Sequence, residues 1–385
     1  MLVRKHIPWL SALLGGGLLL TTGSALAEYG LNMPRGATAI SREVYDLHML
    51  IFWICVAIGV VVFGVMFYSM FKHRKSQGVV AAQFHESTAA EIAWTIIPVI
   101  ILIAMAIPAT QTLLKMADVE NSDITIKVTG YQWKWRYDYI DQSVGDQSVG
   151  NQNVGFFSVM STPRDQIENR EAKGEHYLRE VDRPLVLPIG KKIRFLVTSN
   201  DVLHAWGVPD FAIKIDAIPG FINETWTRID TPGIYRGQCV ELCGKDHGFM
   251  PIVIDARTET DYLAWMEEQK SAALASAEDP DKVWAMDELM SKGESVYATN
   301  CAGCHQAGGE GLPGAFPALK GSKIAIGPIA DHLKIVLDGT PGTSMAAFGP
   351  QLSDTELAAI LTYERNAWGN NTGDVVQPSQ VKAAR

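Results

Sequence analysis

The chain is 385 residues long, 47% of them apolar, with a mean hydropathy of +0.06 and a formal net charge of −9. That length allows two or three domains, and the apolar share points to membrane segments beside folded cores. The acidic balance argues against nucleic acid as a partner and favours a basic protein.

Residues 1–27 read as a secretory signal peptide: Arg4, Lys5 and His6 precede an apolar core, LSALLGGGLLL, and Ala25-Leu26-Ala27 offers a small-residue cleavage site. Residues 28–121 comprise an N-terminal segment and two membrane helices. The first, residues 47–71, carries no Asp, Glu, Lys or Arg and would span about 37 Å as a helix, enough to cross a bilayer. The second, residues 92–114, crosses back, with Pro98 and Pro108 as places to bend. Lys72, Arg74 and Lys75 lie between the spans, which puts that loop in the cytoplasm and both ends of the mature chain in the periplasm. Cys55 reads as a small apolar residue packed within the first helix.

Residues 122–256 change to short β runs, such as ITIKVTG (124–130), IRFLVTS (193–199) and PIVIDA (251–256), which suggest an antiparallel sandwich. In YQWKWRYDY, the aromatic residues Tyr131, Trp133, Trp135, Tyr137 and Tyr139 alternate, so a continuous strand would aim all of them at the core. Residues 141–155 repeat a polar pentapeptide that cannot build a core and reads as a surface hairpin. Residues 257–284 look like a polar helical linker. Residues 285–370 form an all-helical unit, with Ser353 and Glu356 as the capping box of its last helix. Residues 371–385 read as a flexible tail.

There are five cysteines, and four of them come as two close pairs. The second pair lies in CAGCH, residues 301–305, the spacing for covalent haem attachment. Positions three apart share a helix face, so Cys301 and Cys304 can form thioethers with one porphyrin while His305 reaches the iron. Met345, the only methionine after His305, lies in GTPGTSMAAFGP and is the candidate for the opposite face. His332 is its rival, but its helix-like surroundings suit a surface or packing role. His/Met ligation raises the potential and suits electron transfer. Pro317 is a candidate to hold the His305 ring through its carbonyl. The unit resembles a small class I cytochrome c, with MAAF where MPxF is frequent in that family.

The first pair lies in GQCVELCGKDHGFMP, residues 237–251. A one-copper site needs only one Cys. Zinc accepts Cys₂His₂ but leaves Met250 without a role and has no redox function to match the neighbouring haem. A disulfide leaves both His247 and Met250 unexplained. Two coppers bridged by both thiolates resolve the excess. Cys239 and Cys243 would form the bridge, His247 and His204 would be terminal ligands, and Met250 and the Glu241 carbonyl would be weak ones.

SNDVLHAW, IKIDAIPG and GQCVELCGKDHGFMPIV together resemble cytochrome c oxidase subunit II and its dinuclear Cu(A) centre, over about residues 35–256; with the appended haem unit, the chain resembles subunit II of a bacterial caa-type oxidase. The resemblance implies a two-helix transmembrane hairpin, an all-β cupredoxin-like Greek-key sandwich and an all-α class I cytochrome c domain. It maps the copper ligands onto His204, Cys239, Glu241, Cys243, His247 and Met250, and identifies Trp133 as the residue where electrons enter. It also implies a magnesium ion at the Glu241 side chain and a proton entrance at Glu91. Asp201 would meet a basic cytochrome or solvent. The implied partners are oxidase subunits I and III, membrane lipid, and a soluble or membrane-bound cytochrome c or cytochrome bc complex as donor. The implied setting is the bacterial inner membrane, with both redox domains on the periplasmic side. An oxidase of this kind reduces oxygen in subunit I and couples the reaction to proton pumping. The alternative reading is a membrane-tethered haem and copper electron carrier that serves no oxidase.

Overall fold

The structure is a computed structural model and describes residues 32–80, 82–144, 147–150, 154–275 and 282–385. The expected signal peptide, 1–27, lies outside the described residues, as do parts of the pentapeptide repeat and of the linker. The chain divides into two compact units. One contains Ser41–Ala109 and the stretch up to Gly36; the other contains Thr110–Arg385 together with Ala37–Ile40.

The first unit is built on α1 (Ala39–Lys72) and most of α2 (Thr88–Ala117). Both helices run past the expected 47–71 and 92–114. The apolar run marks only the part suited to lipid, whereas the backbone ladder continues through polar turns such as that of Arg42 and Glu43. No residue in the most apolar 18-residue window of either helix is buried, and Val60 and Phe71 are among the apolar side chains left open. Such surfaces need an apolar medium, and both helices exceed the roughly 20 residues that span a bilayer. α2 stays continuous through Pro98 and Pro108. Cys55, expected to be packed, is exposed on α1: the hairpin itself supplies nothing to cover it.

Among the described residues of the second unit, eleven strands form two sheets. They are β1 (Ile124–Tyr131), β2 (Lys134–Val144), β3 (Gln147–Gly150), β4 (Gly155–Ser158), β5 (Leu185–Pro188), β6 (Ile193–Ser199), β7 (His204–Val208), β8 (Ile213–Ala217), β9 (Asn223–Thr227), β10 (Gly233–Cys239) and β11 (Pro251–Arg257). One sheet runs β3-β2-β1-β6-β9 with β4 also on β2, and the other runs β5-β11-β10-β7-β8. Side chains alternate inward and outward, as in β6, so the two inner faces share one core that includes Phe195 and Trp206 with ring centroids 4.8 Å apart. The sandwich is not purely antiparallel: β1 pairs parallel with β6, and β5 with β11. These neighbours are far apart in sequence, which leaves chain enough for the crossover that parallel pairing needs.

The expected linker begins as a core element. α3 (Glu259–Ala275) buries Tyr262 and Met266 in the β-domain, and Trp265 packs 5.5 Å from the Tyr139 ring.

The helical domain comprises α4 (Met286–Asn300), α5 (Ala302–His305), α6 (Ile329–Asp338), α7 (Asp354–Asn366) and α8 (Pro378–Ala384). α4 crosses α7 at Gly293, where a Cβ would stand 2.2 Å from the Ala359 carbonyl oxygen. The Ser353–Glu356 capping box is formed. The stretch expected as a flexible tail is docked instead. Val376 and Val381 are fully buried, Arg385 donates to the Leu352 carbonyl at 2.7 Å, and Gln377 exchanges hydrogen bonds with Trp284. The polar composition hid two apolar anchors and a guanidinium that satisfies carbonyls ahead of α7.

Candidate functional site

β10 ends at Cys239, and the chain returns as β11 from Pro251. Gln238 pairs with Pro251, and the Cys239 N–H donates to the Met250 carbonyl at 3.2 Å. The loop between them is therefore closed at its neck and folds its sulfurs inward. Cys239 Sγ lies 3.8 Å from Cys243 Sγ and 3.3 Å from the Glu241 carbonyl oxygen. Cys243 Sγ lies 3.4 Å from His247 Nδ1 and 3.7 Å from Met250 Sδ. His204, first residue of the neighbouring β7, brings its Nδ1 to 3.9 Å from Cys239 Sγ. Gly130 makes room for this ring: a Cβ there would stand 2.7 Å from His204 Cδ2. The ligand atoms of His204, Cys239 and Cys243 lie within 4.8 Å of one another, and all three residues are buried. The sulfurs are free thiols, well beyond the roughly 2.05 Å of a disulfide.

Cys301, Cys304 and His305 line an apolar cavity together with Met345. His305 Nδ1 lies 2.8 Å from the Pro317 carbonyl oxygen. Donation to that oxygen leaves Nε2 as the ring's lone-pair nitrogen. The Met345 loop is pinned by Thr340 N–H donating to the Met345 carbonyl at 2.9 Å and Phe348 N–H donating to Val336 at 2.9 Å. Gly339 (φ 70°) is needed there, because a Cβ would meet the Met345 carbonyl oxygen at 2.5 Å. Burial holds the Cys301 and Cys304 thiol pKa values above the ordinary range.

A family model described as cytochrome c oxidase subunit II, periplasmic domain, matches residues 124–257, and one for the transmembrane domain of that subunit matches 27–112. A probable cytochrome c oxidase subunit 2 of Rickettsia bellii is 36% identical over 261 residues, covering 67% of this chain and 92% of that protein. The chain belongs to the cytochrome c oxidase subunit II family. Subunit 2 of Cereibacter sphaeroides is 34% identical, over 66% of this chain and 88% of that one. The periplasmic domain of subunit II of Bradyrhizobium japonicum cytochrome oxidase is 42% identical, covering 40% of this chain and 98% of that one, with a TM-score of 0.34. A third family model, cytochrome c oxidase, cbb3-type, subunit III, matches residues 288–363. A cytochrome c-type domain thus follows the subunit II body.

Family membership implies a dinuclear copper centre, and the cytochrome match implies haem. The chain's residues fit both. Metal–thiolate bonds are about 2.3 Å for zinc, so sulfurs 3.8 Å apart can share an ion. As thiols, the hydrogen bond between the two sulfurs pulls the Cys239 pKa down and, with burial, pushes that of Cys243 up. Burial works against the His204 imidazolium, but the hydrogen bonds to Asp201 and Cys239 outweigh it and raise its pKa.

Three expectations need correction in this subunit II. Trp133 is not fully buried in the core like its neighbours but packs against it partly exposed. β1 stops at Tyr131 and β2 starts at Lys134, so Gln132 and Trp133 form the turn, while Tyr131, Trp135, Tyr137 and Tyr139 are buried. The turn frees Trp133 to line the haem cavity, and its Nε1–H donates to the Cys243 carbonyl at 3.2 Å. Asp201 faces inward. Its carboxylate accepts from the Gln132 N–H at 2.7 Å and the Val202 N–H at 2.7 Å and lies 2.8 Å from His204 Nε2. His332 is buried against Glu364, Nε2 to Oε2 2.8 Å, in the wall of the haem cavity. Its Nδ1 is buried with no hydrogen-bond partner among the described residues.

Glu91 lies in the first turn of α2 with its side chain exposed. Sequence reasoning missed Gln132, whose Nε2–H donates to the Cys243 carbonyl at 2.8 Å, as well as Lys134 and Glu364. Nothing in their local pattern sets Gln132 or Glu364 apart from ordinary polar residues.

Proposed function

We propose that this chain is the electron inlet of a respiratory cytochrome c oxidase in a bacterial inner membrane. Electrons arrive at the helical domain from a cytochrome c or a cytochrome bc complex. They cross to the β-domain and leave for the oxygen-reducing site in subunit I, in a reaction coupled to proton pumping. Both redox domains face the periplasm, and subunits I and III cover the helical hairpin. The reading is carried by Trp133, which touches the carbonyl of Cys243 and walls the cavity that holds His305 and Met345.

In this reading His204, Cys239, Cys243, His247, Met250 and the Glu241 carbonyl hold two coppers. Cys301, Cys304, His305 and Met345, which line the cavity, would hold the haem. When bound, the copper pair and the haem supply one-electron transfer at potentials set by these ligands. The protein's part is positional. Asp201 orients His204, Pro317 orients His305, and the loop neck at Cys239 and Met250 keeps the sulfurs from moving when charge changes. The Glu241 carboxylate is offered to a magnesium ion at the boundary with subunit I. In this reading the ion's other ligands come from subunit I. Glu91, at the cytoplasmic start of α2, marks a proton entrance leading into subunit I.

The test is metal and haem stoichiometry with a visible-to-near-infrared spectrum of the purified complex. Two coppers and one haem c for this chain, copurification with a large multi-helix haem protein, and cyanide-sensitive oxygen uptake are expected. A lone copper, zinc in its place, or a chain isolated without an oxidase would overturn the reading.

A further inference from the structure

The haem cavity is not closed by its own domain. Gln132 and Trp133, from the β1–β2 turn, stand in its wall beside Cys301 and Cys304, so the two domains meet at that point. Two lysines of the β-domain reach across. Lys134, the first residue of β2, is 5% exposed, and its Nζ donates to Asn300 Oδ1 at 2.6 Å. The same Nζ stands 4.4 Å from the Phe157 ring centroid in its own domain and 5.8 Å from that of Phe348, beyond Met345. Lys245, inside the copper loop, donates to the Gly303 carbonyl at 3.0 Å and lies 5.8 Å from the Phe316 ring centroid. Asn300 and Gly303 lie on either side of Cys301, so the two cations hold both sides of the first haem-attachment cysteine.

We propose that Lys134 and Lys245 form an internal docking clamp that seats the haem-bearing turn of this chain against Trp133 and closes that face of the copper domain to an outside cytochrome. The proposal rests on the direction of electron flow given above and adds the surface that fixes its geometry.

The chemistry favours a seat of selectivity rather than of raw affinity. A buried ammonium facing a neutral amide gains less than one facing a carboxylate, and a placement of the turn that covers Lys134 without offering it Asn300 leaves it unpaired. The rings of Phe157 and Phe348 replace part of its lost water. The acids whose fields reach Lys134 are Asp201 and Glu356, with the Cys301 sulfur alongside. Beside Lys245, Asp246 stands with its carboxylate toward Gly303, 3.8 Å from where a Cβ would be. A chain of net charge −9 attracts basic partners elsewhere, but a pair of lysines flanking Trp133 repels a cytochrome rimmed with lysine. An outside donor must therefore deliver its electron to the haem domain.

The test uses the full chain in its oxidase, loaded with copper and haem. Two readouts are followed: amide hydrogen exchange over residues 300–305 and 343–348, and the rate at which an electron placed on the haem by flash reduction reaches the copper centre. In the Lys134→Glu/Lys245→Glu variant, exchange rises and transfer slows, each by about tenfold or more, while the haem spectrum and the two-copper spin signal persist. Should that variant not fold, Asn300→Leu leaves the β-domain untouched, removes the acceptor of Lys134 together with the Asn300 Nδ2–H bond to the Val296 carbonyl, and moves both readouts the same way. Asn300→Asp, which keeps an acceptor and adds charge, lowers exchange below the parent's. Exchange and transfer unchanged by Asn300→Leu overturn the clamp. A parent protein that lacks the two-copper signal, or passes no electron from haem to copper, overturns the functional reading instead.

Discussion

The copper loop and the haem cavity sit side by side and are built on opposite principles. In the loop, donor atoms are already in mutual contact: Cys239 and Cys243 Sγ are 3.8 Å apart, and His247 and Met250 touch the second sulfur. Its donors come from one short stretch pinned by the β10–β11 ladder, and from His204 on the adjacent strand. The cavity is held open, and His305 and Met345 come from separate segments, one at the end of α5 and the other between α6 and α7. Part of its wall belongs to the other domain. Small ions need a few rigid contacts within one loop, whereas a porphyrin needs a volume, which only the packing of several elements can supply. The loop should therefore respond to loss of single donor atoms, and the cavity to loss of packing and charge balance.

The largest effect separates the two sites. Cys239→Ser is expected to abolish the near-infrared and spin-resonance signals of the copper pair while the haem c spectrum remains; retained copper signals would break the contrast. In the cavity, His332→Leu leaves the Glu364 carboxylate buried without its partner (both side chains are 3% exposed), which should cost about 3–5 kcal/mol. Urea unfolding followed by haem absorbance measures it, and a loss below 1 kcal/mol would show that the His332–Glu364 contact adds little to stability. Met345→Ala should lower the haem potential by on the order of 0.2 V, within the roughly 0.8 V that axial ligands span; an unchanged potential points to another ligand. Asp201→Asn weakens the orientation of His204 and should reduce copper affinity by about 10- to 100-fold, read by competition with a chelator.

The smallest effect concerns pH at the boundary between the sites. Burial lowers the Lys134 pKa to about 8, although Cys301, Glu356 and Asp201 pull the other way. Released into water, Lys134 returns to about 10.4, so the docked form binds fewer protons between these two values. Docking should strengthen as pH rises through that window and be weakest below about 8. Hydrogen exchange over residues 343–348, corrected for its intrinsic pH dependence, would show protection increasing from pH 8 to 10; a fall would reverse the sign.

Much of the candidate site was legible because its chemistry is local. Cys239, Cys243, His247 and Met250 fall within one loop, and CAGCH carries its own spacing rule. The misses share a different cause, a partner far away in sequence. Asp201 accepts from Gln132, 69 positions away. His332 meets Glu364 across 32 positions, and Arg385 meets Leu352 across 33. A regular aromatic alternation suggested one strand face for Trp133, but the turn at Gln132–Trp133 removed that residue from it.

The sequence by itself determined the apolar runs long enough to cross a bilayer, the soft-ligand spacing and the haem-attachment motif. Each of these depends on residue type and short-range spacing alone. The tertiary structure decided that Asp201 turns inward, that the C-terminal segment docks, that two sheets mix parallel and antiparallel pairs, and that Trp133 with Lys134 stands between the two redox sites. These outcomes depend on which groups exclude water from one another, a property of the packed chain that no short stretch contains.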